Sequence, residues 1–350
     1  MMRSKEKNIQ IEFLRIFFSI VIILYHFGQI TTLRQGYIAV EFFFLLSGFL
    51  LSREAEDNLT SAKEYTMRKL RKIYPAYLLN VVLFFIIAAA FHFYKQEYER
   101  IVTDLMDAIP EVFMLQGLGI FSGSLNYPMW YLAVLIPGGY LVYWGLNKAG
   151  RIYTEIIAPV SVVVILAFLF HKNGDSIEVW GNYGGLYIPM LRGIADLNLG
   201  IIIYHMVEVL KFQNICRKKR MGEWIKAVCF LGVCTCIIFH SAIDKYAFLF
   251  LSGLIGSCFL WGKTAKSRWY FYMADLTMYT YMCHALVIRI FQIMLEAVHA
   301  ESLVIKIIIN CLIVVVVFGF AAGQKAIIRY FLERKRRHDE KACWDCYNHK

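Results

Sequence analysis

A chain of 350 residues has room for one or two soluble domains, yet 59% of it is hydrophobic and only 18% charged, against roughly 45 to 50% and about 25% in soluble domains. Runs such as Leu78 to Phe93, which holds no Asp, Glu, Lys or Arg, exclude an ordinary soluble protein and read as bilayer spans. The net charge of +11 therefore reports membrane topology, and no nucleic-acid partner is expected.

Ten candidate spans follow in chain order, at residues 9–30, 37–52, 75–94, 128–146, 153–171, 185–207, 224–241, 246–262, 271–295 and 302–324. Each is near the ~17 to 25 residues that a membrane helix needs. Residues 101–127 hold Asp104, Asp107, Pro110, Glu111 and several glycines and read as an outer loop or a re-entrant piece. Counting them as a span would carry the later Lys/Arg clusters to the outside. With the amino terminus inside, most Lys and Arg fall on the cytoplasmic face, and the outer loops keep Arg34, Lys95, Arg100, Lys172, Lys245 and Lys306. The expected fold class is all-α: a polytopic transmembrane domain of about ten spans over residues 1–331, both termini cytoplasmic, in the cell membrane. Residues 332–350 are expected to form a short charged cytoplasmic tail. The first apolar stretch carries Glu12 and Arg15 and lacks a small-residue cleavage site, so it reads as a signal anchor. The nine cysteines are scattered, several inside apolar runs, and suit core positions better than a disulfide framework.

Ionisable side chains within spans mark functional candidates, because burying a charge in hydrocarbon is costly. Arg15 and His26 lie eleven residues apart in the first span. They therefore share a helical face with ~16 Å between them along the axis. Glu41 lies in the second span, a short turn away, at a depth similar to that of His26. It is expected either to orient the His26 imidazole and raise its basicity or to neutralise a buried cation. At the inner end of the third span, Arg68 and Arg71 fall on one face. They suit bidentate binding of phosphate oxygens or, more simply, a positive flank on lipid headgroups.

Five features stand in order along the chain: Arg15 and His26 with their spacing; Val40-Glu-Phe-Phe-Phe-Leu-Leu-Ser47-Gly48-Phe49; Arg68-x-x-Arg71 followed by Ile-Tyr-Pro-Ala-Tyr; Trp130-Tyr-Leu; and Tyr281-Met-Cys-His284. In these the sequence resembles the family-3 membrane acyltransferases, which O-acylate cell-surface glycans and related acceptors. The resemblance implies ten or so helices and cytoplasmic acyl-coenzyme A, usually acetyl-coenzyme A, as donor. It also implies functional importance for Arg15, His26, Arg68 and Arg71, and strengthens the phosphate-binding reading of the last two. Many polysaccharide-modifying relatives carry Trp-Ser-Leu with a following Glu, where this chain has Trp130-Tyr-Leu-Ala-Val, so the acceptor does not carry over.

The expected function is that of an integral membrane O-acyltransferase. Arg68 and Arg71 would clamp the donor phosphates, the pantetheine arm would run past Arg15, and the thioester would lie at His26, oriented by Glu41. His26 would act as general base on an acceptor hydroxyl or form an acyl-imidazole. Trp130, His284 and Arg289 are candidate acceptor-binding residues. Arg192 and Asp196, four apart, are expected to form a structural ion pair. Ser47 reads as a small packing residue, and His205 and His240 have no evident partners. Cys343, Cys346 and His349 make a weak zinc signal, and no metal is expected. Expected partners are the bilayer, a glycan or lipid-linked sugar acceptor, and a glycan synthase or export machinery. The alternative is a polytopic transporter or exporter of a polysaccharide or related solute, against which stand the missing inverted repeat and the cytoplasmic arginine pair.

Overall fold

Backbone N–H and C=O groups find no partners in hydrocarbon, so apolar runs of this length must satisfy their hydrogen bonds internally, as helices. The structure, a computed structural model, describes residues 7–28, 33–57, 60–120, 124–178, 180–183, 185–213, 219–239, 243–265, 267–295 and 303–348. His240, His349 and the side chains of Cys343 and Cys346 lie outside the described residues. The helices are α1 (Ile9–Phe27), α2 (Ile38–Asp57), α3 (Ala62–Tyr94), α4 (Tyr98–Val112), α5 (Trp130–Ala149), α6 (Ala158–Lys172), α7 (Ile188–Phe212), α8 (Lys219–Ile238), α9 (Asp244–Trp261), α10 (Arg268–Leu295) and α11 (Leu303–Asn348). Residues 332–348, expected as a tail, continue α11 without a break.

Among the described residues, six stretches are long and apolar enough to cross a membrane: Ile9–Phe27, Ala62–Tyr94, Tyr127–Lys172, Ile188–Phe212, Lys219–Ile238 and Ile305–Arg334. The third holds both α5 and α6; the chain reverses between them, so that Trp180 beyond α6 meets Trp130 at the start of α5 at 5.1 Å, and both helices pack on α7. α2, α9 and α10 carry more polar residues and fall outside the six, as does α4. Val163, Leu231, Leu249 and Val315 are 64 to 68% exposed. Side chains of this kind on the flanks of helices that already have buried faces are stable against lipid, and the protein is membrane-embedded.

The end of the bundle where α1 and α3 begin is tied locally. Lys7–Asn8 pairs antiparallel with Thr264–Ala265, and Asn8 Oδ1 caps α1 by accepting from the Gln10 and Ile11 amides. Ser61 and Glu64 form a reciprocal capping box at the start of α3. Further along α3, Pro75 sits inside the helix. Asn80 and Gln324 exchange side-chain hydrogen bonds of 3.1 and 2.9 Å between α3 and α11, so neither amide is left unsatisfied in an apolar layer.

The core sits where α2, α5 and α7 meet, around Phe44, Leu45, Phe49, Leu132, Val134, Leu197 and Ile201, all at most 1% exposed. α2 lies chiefly along α7 and only lightly against α1. Two glycines set this closeness: a Cβ on Gly48 would collide with the Leu197 carbonyl, and one on Gly200 with the Leu45 carbonyl.

Candidate active site

His26 stands in the last turn of α1 and lines a narrow cavity with Tyr25, Tyr127, Trp130, Glu178, Trp180 and Tyr281, among others. The free volume is about 10 Å³, room for a single water. The ring of His284 on α10 lies 5.0 Å from that of His26, centroid to centroid. His284 is fully buried, and its Nδ1 lies 2.7 Å from the Tyr281 carbonyl. A carbonyl only accepts, so Nδ1 carries the hydrogen. Nε2 then holds the lone pair of the neutral ring, and it has no hydrogen-bond partner among the described residues. Two imidazoles thus adjoin, one fixed in tautomer and presenting a basic nitrogen.

Glu41, expected as the orienter of His26, is instead held by Arg192: its Oε1 accepts from the guanidinium, and the two side chains are 0% and 1% exposed. No hydrogen bond joins Glu41 to His26 among the described residues. The reason lies in helix packing, because α2 turns toward α7, where Arg192 sits. The expected Arg192–Asp196 ion pair is likewise not formed. Arg192 reaches across to Glu41 and lies 5.3 Å over the Trp130 ring, while neither Asp196 oxygen has a hydrogen-bond partner. Glu41 therefore takes the second role open to it, that of neutralising a buried cation.

Arg15, below His26 on α1, donates to Glu12 at 2.8 Å and to Thr277 of α10 at 3.3 Å. One turn higher, Ser19 and Thr280 are 2.8 Å apart. These contacts stitch α1 to α10 along the face that carries His26 and His284. Arg68 and Arg71 lie at the opposite end of the bundle. α2 runs from Val40, which lines the His26 cavity, to Glu54, which pairs with Arg68, and this stretch spans ~21 Å. Arg71 is exposed and forms no ion pair among the described residues. Between the two ends lies a second small cavity lined by Ser47, Tyr65, Thr66 and Lys69. Ser47 Oγ is 3.4 Å from the Tyr131 hydroxyl, and the Tyr131 ring is 5.1 Å from that of Tyr281. Ser47, Tyr131 and Tyr281 thus form a chain of contacts between the two small cavities.

Trp130 lines the His26 cavity and His284 lies against the His26 ring; Arg289 does neither. It is exposed on α10 and lies 5.3 Å over Phe91 of α3. Tyr127, Glu178 and Trp180 were not expected in the site. They come from loops outside the apolar runs, where no periodic pattern singles them out.

The segment after α4 covers the histidine end. Glu111, fully buried, accepts from the Leu125 and Asn126 amides and the Ser124 hydroxyl at 3.1 to 3.2 Å. Burial outweighs these bonds and pushes its pKa up to about 7. Tyr281 donates its hydroxyl to the Pro128 carbonyl, and Tyr127 thereby sits 5.5 Å from His26, edge to face. The expectation for residues 101–127 thus resolves into a helix, α4, and a cover over the site.

Residues 8–323 match the family model for an acyltransferase domain. Over 125 residues the chain is 35% identical to acyltransferase MdmB of Streptomyces mycarofaciens. That match takes in 30% of this chain and 30% of the relative, so it spans less than a third of the relative's own length. No solved structure matches. The family match runs from the cap of α1 into α11 and takes in both histidines, both arginines of α3 and the covering segment. The chain belongs to the acyltransferase 3 family.

Proposed function

We propose that the protein transfers an acyl group from cytoplasmic acyl-coenzyme A, acetyl-coenzyme A first among donors, to a hydroxyl of a glycan or lipid-linked sugar. The observation that carries this is the half-buried His26 against the buried His284, 5.0 Å between rings, at the opposite end of the bundle from Arg68 and Arg71. The arginine end faces the cytoplasm, with both termini, on the distribution of Lys and Arg. Arg68 and Arg71 hold the donor phosphates, the arm runs past Arg15, and the thioester reaches His26. The ~21 Å between the two ends is comparable to an extended pantetheine arm. Both cavities hold no more than a water, so the Tyr131 and Tyr281 side chains must swing to admit the arm.

In the chemical step, the acceptor oxygen attacks the thioester carbonyl carbon as its proton passes to the His26 imidazole. The C–S bond of the tetrahedral adduct then breaks, and the departing thiolate takes the proton from His26, giving an ester and free coenzyme A. His284 Nε2, unpartnered in the structure, becomes the acceptor of the other His26 N–H as the adjoining rings turn and supports the imidazolium while it exists, the role first expected of Glu41.

The test uses purified protein in lipid nanodiscs, radiolabelled acetyl-coenzyme A, and membranes of the producing cells as acceptor. Label should enter the membranes, and His26→Ala should reduce that by about 10²- to 10⁴-fold. Arg68→Ala and Arg71→Ala should each weaken donor binding by about tenfold or more. A stable mass increment on His26 without acceptor would replace direct transfer with an acyl-imidazole. No transfer and no acetyl-coenzyme A binding by the wild type would refute the proposal and favour an exporter.

A further inference from the structure

The loop between α6 and α7 brings into the His26 cavity a carboxylate that the chemical step above does not use. Glu178 lines that cavity beside Tyr127, Trp130 and Trp180, and its backbone is pinned. Its N–H donates to Ser176 Oγ at 3.2 Å, its carbonyl accepts from Asn173 Nδ2 at 3.1 Å, and the preceding Ile177 N–H donates to Asp244 at 3.0 Å. The side chain is held by one group, the Tyr25 hydroxyl, which donates to Oε1 at 2.9 Å. Among the described residues Oε2 accepts nothing. A carboxylate so fixed, next to the proposed base, is a preorganised acceptor of hydrogen bonds. The group that completes it must be a donor.

The wall beside it is aromatic. Trp180 meets Trp130 edge-on at 5.1 Å and Tyr127 at 5.6 Å, and it is 41% exposed, so it stands at the mouth of the cavity. An exposed indole face next to a convergent carboxylate suits a ligand with one apolar C–H face and a hydroxyl-bearing edge. A simple lipid alcohol that displaced water from the cavity would leave Glu178 Oε2 without a partner, and an acceptor left unpaired on binding discriminates against such a ligand.

We infer that Glu178 and Trp180 select the acyl acceptor. That acceptor is a polyol whose acylated hydroxyl stands at His26, whose neighbouring hydroxyl donates to Glu178 Oε2, and whose apolar face lies on Trp180. This rests on the acyl-transfer reading above and adds the residues that recognise the substrate.

The experiment uses the full chain in nanodiscs, radiolabelled acetyl-coenzyme A, and membranes of the producing cells, with or without prior periodate treatment, which cleaves neighbouring diols. Glu178→Gln keeps the shape and the Tyr25 contact but sets an N–H₂ donor where the hydroxyl would donate. It should raise the membrane concentration needed for half-maximal transfer about tenfold or more and leave the acetyl-coenzyme A-induced shift in Tm unchanged. Trp180→Leu should move the same parameter in the same direction, and periodate-treated membranes should no longer accept label. Wild-type-like transfer by Glu178→Gln, loss of the donor-induced Tm shift in that variant, or full transfer to periodate-treated membranes would each overturn the inference. A wild-type protein that neither binds acetyl-coenzyme A nor transfers label would instead remove the acyl-transfer reading, and the acceptor site with it.

Discussion

The buried triad of Glu41, Arg192 and Asp196 yields an asymmetric prediction. All three side chains are at most 1% exposed, and the guanidinium bonds Glu41 while Asp196, one turn along α7, makes no direct pair with it. Arg192→Met leaves both acids without a cation, and breaking a buried pair from one side costs about 3–5 kcal/mol. Glu41→Gln is milder, because the amide oxygen still accepts from the guanidinium, and Asp196, four residues along α7 though not in direct contact, leaves a second acid near it. What is lost is mainly charge assistance, the difference between a charged and a neutral hydrogen bond, about 1–1.5 kcal/mol. Arg192→Met should therefore exceed Glu41→Gln by about 2–4 kcal/mol, and the double variant should be less damaged than Arg192→Met alone, having one buried acid fewer. Thermal unfolding in detergent, followed by tryptophan fluorescence, reads the order directly. The reasoning fails if Glu41→Gln melts as early as Arg192→Met. It fails equally if Glu41→Gln melts like the wild type and loses transfer as fully as His26→Ala, for then Glu41 serves the imidazole.

Gly48→Ala should destabilise by about 1–3 kcal/mol through overpacking of α2 on α7. Gly139→Ala, whose Cβ would meet only Leu51 at 3.9 Å, should melt within about 0.5 kcal/mol of the wild type. Glu54→Gln removes the carboxylate paired with Arg68, an exposed pair of about 0–1 kcal/mol, and should lower the KM for acetyl-coenzyme A by up to about fivefold; an unchanged KM would show that the pair does not compete with the donor. Glu111 has a folded pKa raised from 4.5 to about 7, so the folded protein keeps a proton that the unfolded chain releases. Stability should fall as pH rises from about 4.5 to 7 and level off above, and Glu111→Gln should flatten that part of the Tm profile.

The helices were legible because hydropathy and length determine them, and α1 carried Arg15 and His26 on one face as their spacing required. The partner of His26 was harder to find. Proximity along the chain pointed to Glu41 across a short turn, but helix pairing follows surface shape, and the glycines at 48 and 200 draw α2 to α7. The true neighbour, His284, lies nine helices away in sequence, marked by the Tyr281-Met-Cys-His284 run as a candidate acceptor-binding residue and not as a partner of His26. Its importance follows from a tautomer fixed by the Tyr281 carbonyl, a fact of geometry. Glu178 and Trp180 left even less trace, since a loop residue has no period and its bracing by Asn173, Ser176 and Asp244 exists only once the chain is folded.

Pro75 lies four residues past Arg71 in α3. A proline has no N–H to offer the carbonyl four residues back, so the helix is weakest just beyond the second arginine. The segment from Ser61 to Arg71, capped at its own start, is therefore positioned largely by Tyr65, which is 2% exposed and stacks on Tyr143 of α5 at 4.3 Å. With the backbone ladder interrupted at Pro75, one aromatic contact sets the direction of both guanidinium groups, so a change at Tyr143 would be felt at the surface where α3 begins.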